Sequence, residues 1–396
     1  MFPATPPAGE NIKSMASGLQ TVAAREAALL APYALASAAS SGRKYPEPEH
    51  PYRSPFQRDR DRIVHSAAYR RLSGKTQVFT GEMGDYHRTR LTHTHEVASI
   101  ARTIGRALRL NEDLIEALAL FHDIGHPPFG HAGEDALDEC LADDGGFSHN
   151  RYALTLAEEL ETRYPQFSGL NLTREVLDGQ ATRVDKSAVS ANMVGDALVP
   201  LLEVQVVDLA DSITYDAHDT DDAIKLGLVS LEQILEVPLV RAAAERVRTR
   251  YDTREGKMLR LSIIHELIDE QVSDVLLHNG PALADSGFTS SLAARQAGFC
   301  IRTSSPLAGN KRELETFLYE HVYRHPRLIE VRAHAQQRLR AMFRGYVARP
   351  ELLPARFQAR AATVGVARST GDYLAGMTDR FCDQQFQQLF AGTHGV

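Results

Sequence analysis

Apolar residues recur at spacings of three and four along nearly the whole chain, and few segments alternate with a period of two. A chain patterned this way can bury one stripe of each helix but has little to offer a sheet, so the fold class it predicts is all-α. The spacing predicts helices over 18–39, 57–72, 91–109, 112–122, 131–142, 150–162, 198–218, 237–250, 256–280, 309–323, 326–345 and 370–390. Between the first two, Ser40 to Pro55 is broken by Pro46, Pro48 and Pro51 and cannot hold a helix. Residues 283–308 are rich in Ser, Ala and Gly, which predicts irregular chain and a division between a core at 18–282 and a C-terminal helical region at 283–396 serving packing and assembly. A Pro- and Ala-rich start predicts a disordered tail over 1–17.

With 396 residues, 43% of them hydrophobic, the chain can bury a large core. Its 51 acidic and 44 basic residues give a net charge of −7, which excludes a surface that coats nucleic acid throughout, so any polyanion site must be local. Cys140, Cys300 and Cys382 are odd in number and far apart, which excludes a disulfide framework and a CxxC zinc site and fits a reducing cytoplasm. The most apolar early stretch, Leu19 to Ala38, carries Arg25, Glu26 and Pro32, so no membrane span is expected. No glycine-rich phosphate loop follows a strand, which leaves phosphate binding to side chains.

Seven of the 16 histidines fall between His87 and His149. On the helix opened by Arg90, Val97, Ile100, Ile104 and Leu108 make the buried stripe, and His93 continues it while His95 points away. A lone histidine there is ordinarily a core residue. The next helix runs apolar through Phe121 into His122-Asp123 and stops at Gly125 and Pro127-Pro128. An aspartate at a buried helix end is costly unless paired or bound to a cation, and an imidazole beside a carboxylate suits a divalent metal. Further on, Asp208, Asp211, Tyr215 and Asp219 repeat at helical spacing on a helix whose other face is apolar. Stacked like charges there call for a cation or a polar ligand.

His93, His122-Asp123 and Asp211 in this order resemble the H…HD…D arrangement of the HD-domain metal-dependent phosphohydrolases. Ser54 to Phe79, Arg88-Thr-Arg-Leu-Thr-His93 and Gly145-Gly-Phe-Ser-His-Asn150 extend the likeness to the bacterial deoxyguanosine triphosphate triphosphohydrolase branch, over roughly residues 25–225. The resemblance implies an HD-domain helical core with N- and C-terminal helical extensions, and hydrolysis of dGTP or other dNTPs to deoxynucleoside and inorganic triphosphate. It implies that His93, His122, Asp123 and Asp211 hold a divalent ion (Mn, Mg, Fe, Co or Zn) that activates water for attack at the α-phosphorus. His126, His131 and His149 are candidates to protonate the departing 5′-oxygen. In line with the family, His131 oriented by Glu134 is favoured, with His126 and His149 as phosphate contacts or a relay.

Arg90 on the metal-facing side of its helix is the expected triphosphate clamp, ahead of Lys75 and Arg71. By the resemblance Tyr215 packs on the deoxyribose, Asp219 takes the 3′-hydroxyl and Gln77 contacts base or sugar. Related vertebrate enzymes carry a lysine directly after the metal aspartate; here Ser212 stands there, so another cation must meet the phosphates. Arg58, Arg60, Arg62, Arg70 and Arg71, mixed with Asp59 and Asp61, are read as a subunit-interface or regulatory dNTP or ssDNA segment of a homo-oligomer. The competing readings are an HD phosphohydrolase acting on (p)ppGpp, cyclic nucleotides or dNMPs, and a nucleotide- or ssDNA-binding regulator without turnover. An intact acid/base pair beside a metal set speaks against the last.

Overall fold

The computed structural model describes residues 20–77, 88–184, 198–251 and 256–390; the tail expected at 1–17 lies outside them. Among the described residues the chain forms eighteen α-helices, three isolated β-bridges and no strand. The helices are α1 (Val22–Leu29), α2 (Pro55–Val64), α3 (Ala67–Arg71), α4 (Arg90–Ala107), α5 (Glu112–Phe121), α6 (Gly130–Cys140), α7 (His149–Thr155), α8 (Arg174–Val184) and α9 (Leu202–Lys225). They continue as α10 (Leu231–Ile234), α11 (Pro238–Arg250), α12 (Gly256–Asp285), α13 (Ser291–Gln296), α14 (Ser305–Leu318), α15 (Pro326–Ala348), α16 (Ala355–Val364), α17 (Val366–Ala375) and α18 (Asp379–Phe390). No described helix is long and apolar enough to cross a membrane.

Several boundaries differ from the expected ones for local reasons. The first helix stops at Leu29, because Ala31 precedes Pro32 and the chain turns extended at Leu30. Helix α9 runs on to Lys225 rather than 218, since Asp221 and Asp222 are met by Lys225, and Asp221 also by Arg260. The span expected as one helix over 370–390 is two, α17 and α18, parted at Gly376-Met377-Thr378. The stretch expected to be irregular begins inside α12 and carries the short α13. Helix α8 has no counterpart among the expected helices: it buries Glu175 and Gln180 beside Val176 and Leu177, so its apolar stripe is weak.

Two apolar clusters hold these helices. The first gathers Val97, Ile104, Leu118, Phe121 and Leu137 with Leu339 and Phe343 of α15, so the C-terminal region is part of the main core. The second gathers Val240, Ile263 and Leu314 around the end of α9. Helix α9 belongs to both, through Ala210 and Ile213 to the first and Ala217 and Ala223 to the second. It packs on α4 and α5, which brings the three histidine- and aspartate-bearing elements together. Phe121, the last residue of α5, is 1% exposed; its burial contributes about 2 kcal/mol and fixes the helix end that presents His122.

The arginine-rich helix α2 is absorbed into the fold. Asp59 is fully buried, pairs with Arg43 and accepts the Thr173 amide (3.1 Å). Arg62 spans Glu47 (2.6 Å) and the Leu170 carbonyl (2.9 Å); Arg58 meets Glu47, and Arg60 meets Asp61 and Glu116. Arg58 and Arg62 thus brace the proline-rich loop, while Arg60 ties α2 to α5.

Candidate active site

Thr89 caps α4 by accepting the Thr92 amide, and Asn111 caps α5 by accepting that of Leu114. Both helices therefore start where they can aim their functional residues inward. At the end of α5, His122 Nδ1 lies 2.6 Å from the Ala119 carbonyl, which can only accept, so Nδ1 carries the proton and Nε2 presents a lone pair. That Nε2 is buried without a hydrogen-bond partner, 3.5 Å from an Asp123 oxygen and 3.6 Å from Asp211 Oδ1. His93 Nε2 lies 3.0 Å from the same Asp211 oxygen. Donor atoms of His93, His122 and Asp123 all fall within 4.8 Å of one another.

A buried imidazole acceptor facing two carboxylates lacks one thing, a cation. Two neutral imidazoles and two carboxylates neutralise a divalent ion, so this donor set fits one. Burial raises the Asp123 carboxyl, but His126, Arg90 and His122 outweigh it and hold the group well below the usual carboxylate range. Asp211 is lowered in the same way, against burial, by His122 and His93. Both are ionised, as ligands must be.

The surroundings orient this quartet. Arg90 is 1% exposed, donating through Nη1 to Asp123 (2.8 Å) and through Nη2 to the Gln77 carbonyl (3.1 Å). His126 Nδ1 sits 3.0 Å from the other Asp123 oxygen. His93 Nδ1 is 3.5 Å from His218, which in turn pairs with Glu96. Such outer partners fix the rotamer and tautomer of a metal-binding histidine.

Joined to the quartet through His126 lies a second cluster. Glu134 Oε2 meets His131 Nδ1 (3.2 Å), while Oε1 meets His149 Nδ1 (2.7 Å) and accepts the His149 amide (2.9 Å). Burial acts to raise the Glu134 carboxyl, yet hydrogen bonds from His131 and His149 and the nearby imidazole charges hold it far below its ordinary value. The His149 ring stacks on His126 at 3.7 Å, whereas the His131 side chain is 62% exposed. An ionised carboxylate thus holds one open and one enclosed imidazole.

Gly125 explains why the turn after His122-Asp123 needs a glycine. A Cβ there would lie 2.1 Å from the His149 carbonyl oxygen and 2.5 Å from the Ala153 amide, both backbone atoms that cannot swing away. Gly125→Ala should therefore cost about 3 kcal/mol of stability, read as a lower urea midpoint, by forcing α7 off this turn. An unchanged midpoint would show that the two segments are not packed this closely.

Comparison with known proteins adds the family. The HD domain model matches residues 90–216 and the phosphohydrolase-associated domain model residues 301–388. A deoxyguanosinetriphosphate triphosphohydrolase-like protein of Geobacter metallireducens is 42% identical over 365 residues, covering 91% of this chain and 95% of its own. Like-named proteins of Ralstonia pickettii and a Caulobacter species are 40% and 41% identical over 91% of this chain, 95% and 96% of their own. The chain belongs to the deoxyguanosinetriphosphate triphosphohydrolase-like family.

Within this family member, the remaining expected site residues divide. Gln77, His131 and Tyr215 line one pocket, together with Tyr323 and Arg332 from beyond the HD domain. The Tyr215 and Tyr323 rings stack at 6.1 Å, and the Tyr323 hydroxyl donates to the buried Asp219. Burial, with Asp222 and Asp216 nearby, raises the Asp219 carboxyl well above its ordinary value. Lys75 is elsewhere: buried, it donates to the His126 and Ala375 carbonyls and so braces the histidine loop from behind. Arg71 lines a different cavity altogether. Tyr323 and Arg332 were not legible in the sequence, because no spacing rule links them to Tyr215 more than a hundred residues earlier.

Proposed function

We propose that the chain hydrolyses deoxynucleoside triphosphates to deoxynucleoside and inorganic triphosphate, using a divalent ion held by His93, His122, Asp123 and Asp211. Water adds its oxygen to the α-phosphorus, the bond to the 5′-oxygen breaks, and that oxygen takes a proton. The observation that carries this reading is the buried, unpartnered His122 Nε2 aimed at two ionised carboxylates, with a histidine–carboxylate pair beside it. A divalent ion there supplies Lewis acidity, lowering the pKa of a water and withdrawing charge from the phosphoryl group.

The protein's own groups do the rest. Arg90 and His126 hold Asp123 in place. His131, open to the pocket and anchored by Glu134, gives the proton to the 5′-oxygen; His149, on the same carboxylate, keeps that anchor in register. Tyr215, backed by Tyr323, forms a flat wall for the sugar, with Asp219 behind it. The family names of the relatives point to the same substrate class. The active form is taken to be a homo-oligomer, which light scattering checks.

A wall of this kind crowds a 2′-hydroxyl. Tyr215→Ala should raise the GTP/dGTP activity ratio by about tenfold or more; an unchanged ratio would remove Tyr215 from sugar selection. The reaction itself is tested by ion-exchange chromatography after incubation with Mn²⁺ and each dNTP, alone and mixed. Deoxynucleoside with triphosphate supports the reading, while dNDP or dNMP places this member with another phosphohydrolase activity.

A further inference from the structure

Two carboxylates neutralise a divalent ion at the quartet, so nothing there matches the charge of a β- or γ-phosphate. The cations expected to do so stand elsewhere. Arg90 is sealed from solvent and gives its Nη groups to Asp123 and the Gln77 carbonyl, Lys75 lies behind the histidine loop, and Arg71 lines another cavity.

Helix α9 sets the direction in which the outer phosphates run. Asp219, Tyr215, Asp211 and Asp208 follow one another at helical spacing along one face. The proposed reaction puts the sugar at Tyr215 and the α-phosphorus at Asp211. At a rise of about 1.5 Å per residue, the next phosphates reach the turn of Asp208, about 4–5 Å further on. Among the described residues, Lys311 pairs with Asp216, and Arg88, Lys225 and Arg260 pair with Asp221 or Asp222, all on the sugar side of Asp211. On its other side, at Asp208, stands Arg183.

Arg183 is the penultimate residue of α8, and its surroundings pin it beside the metal set. One turn earlier Gln180, 2% exposed, donates to the His122 carbonyl (3.2 Å) and to Asn150 Oδ1 (2.8 Å), while Asn150 donates to the Arg183 carbonyl (3.4 Å). Its charge is felt at the centre: burial lowers the His122 imidazole against the pull of Asp123 and Asp211, and Arg183 lowers it further. The guanidinium is only half engaged. Nε and Nη2 both converge on Asp208 Oδ1, each at 2.7 Å, whereas a full fork takes one oxygen per arm. Nη1 has no hydrogen-bond partner among the described residues. The Arg183 side chain is 9% exposed and that of Asp208 41%, so the carboxylate can swing into solvent and yield the guanidinium to a more highly charged ligand.

We propose that Arg183 is the substrate-binding residue that meets the β- and γ-phosphates, and that Asp208 holds its guanidinium in register until they displace it. This rests on the proposed hydrolysis, which fixes the two ends of the substrate on α9. Arg183 therefore reads the length of the phosphate chain: a triphosphate reaches it, and a monophosphate stops at the metal.

The test titrates the full chain, loaded with Mn²⁺, by calorimetry with a dGTP analogue carrying a methylene in place of the 5′-oxygen, with the monophosphate blocked in the same way, and with inorganic triphosphate. Arg183→Gln should weaken the triphosphate analogue and inorganic triphosphate at least about tenfold and leave the monophosphate unchanged. Asp208→Asn should move the other way, binding the triphosphate analogue about threefold tighter or more, because it removes both a competitor for the guanidinium and a repelling charge. Metal content should match the wild type in both variants. A pair that served only as a brace would make both variants weaken both nucleotides alike, and that result overturns the assignment. Unchanged triphosphate affinity in Arg183→Gln overturns it too, as does loss of metal. If circular dichroism shows that Arg183→Gln does not fold, Asp208→Asn decides alone: unchanged or weaker triphosphate binding is then the contradicting result.

Failure of the contact and failure of the reaction are separable. Binding that depends on Arg183 and on chain length, in a protein that hydrolyses no dNTP, would sink the proposed function and leave the contact standing. Hydrolysis of dGTP to triphosphate with an unchanged KM in Arg183→Gln would do the reverse.

Discussion

Asp211→Ala is expected to lose both its metal and its turnover. With Asp211 present, two carboxylates balance a divalent charge among neutral imidazoles, and its Oδ1 faces both His93 and His122. Without it, a bound ion keeps a net positive charge in a buried site already holding the guanidinium of Arg90, which electrostatics disfavours strongly. The rate should fall by about a thousandfold or more, equivalent to roughly 4 kcal/mol of lost transition-state stabilisation. Metal analysis of the purified variant, with circular dichroism to confirm the helical fold, separates this from unfolding. A folded variant with full metal content and normal activity would remove Asp211 from the centre.

The second large effect dissociates metal from turnover. His131 lies outside the quartet, so His131→Ala should retain metal at the wild-type level while its kcat falls by about 10²–10⁴. Glu134→Gln tests the anchor: the amide keeps the shape but loses the charge that holds His131 and His149 together. Its kcat should also fall, with metal content unchanged. Wild-type kcat in both variants would mean that the departing 5′-oxygen gets its proton elsewhere, and loss of metal in either would merge the two clusters into one.

Much of this site can be read along the chain because its parts are local. A helix that runs apolar into His122-Asp123, an acid three residues after His131, and turns of α9 carrying Asp211, Tyr215 and Asp219 are all patterns within one element. What the sequence does not show is what each group touches across elements. Arg90 reads as a phosphate clamp along the chain; in the fold it is sealed from solvent, gives Nη1 to Asp123 and Nη2 to the Gln77 carbonyl, and keeps a buried Nε without a partner. Lys75 sits next to a motif but points to carbonyls beneath it. The mixed charges of α2 pair with Glu47 and Arg43 of the proline-rich loop, contacts that no periodicity encodes. The same holds for the C-terminal region: α15 enters the main core and Tyr323 reaches Asp219, both through tertiary packing.

The central claim, attack at the α-phosphorus with triphosphate as the leaving product, is tested most directly by running dGTP turnover with Mn²⁺ in water enriched in oxygen-18. Mass spectrometry then locates the label. The account predicts one heavy oxygen in the inorganic triphosphate and none in deoxyguanosine. Label in the deoxynucleoside, or in orthophosphate or pyrophosphate released from a shortened nucleotide, would contradict it.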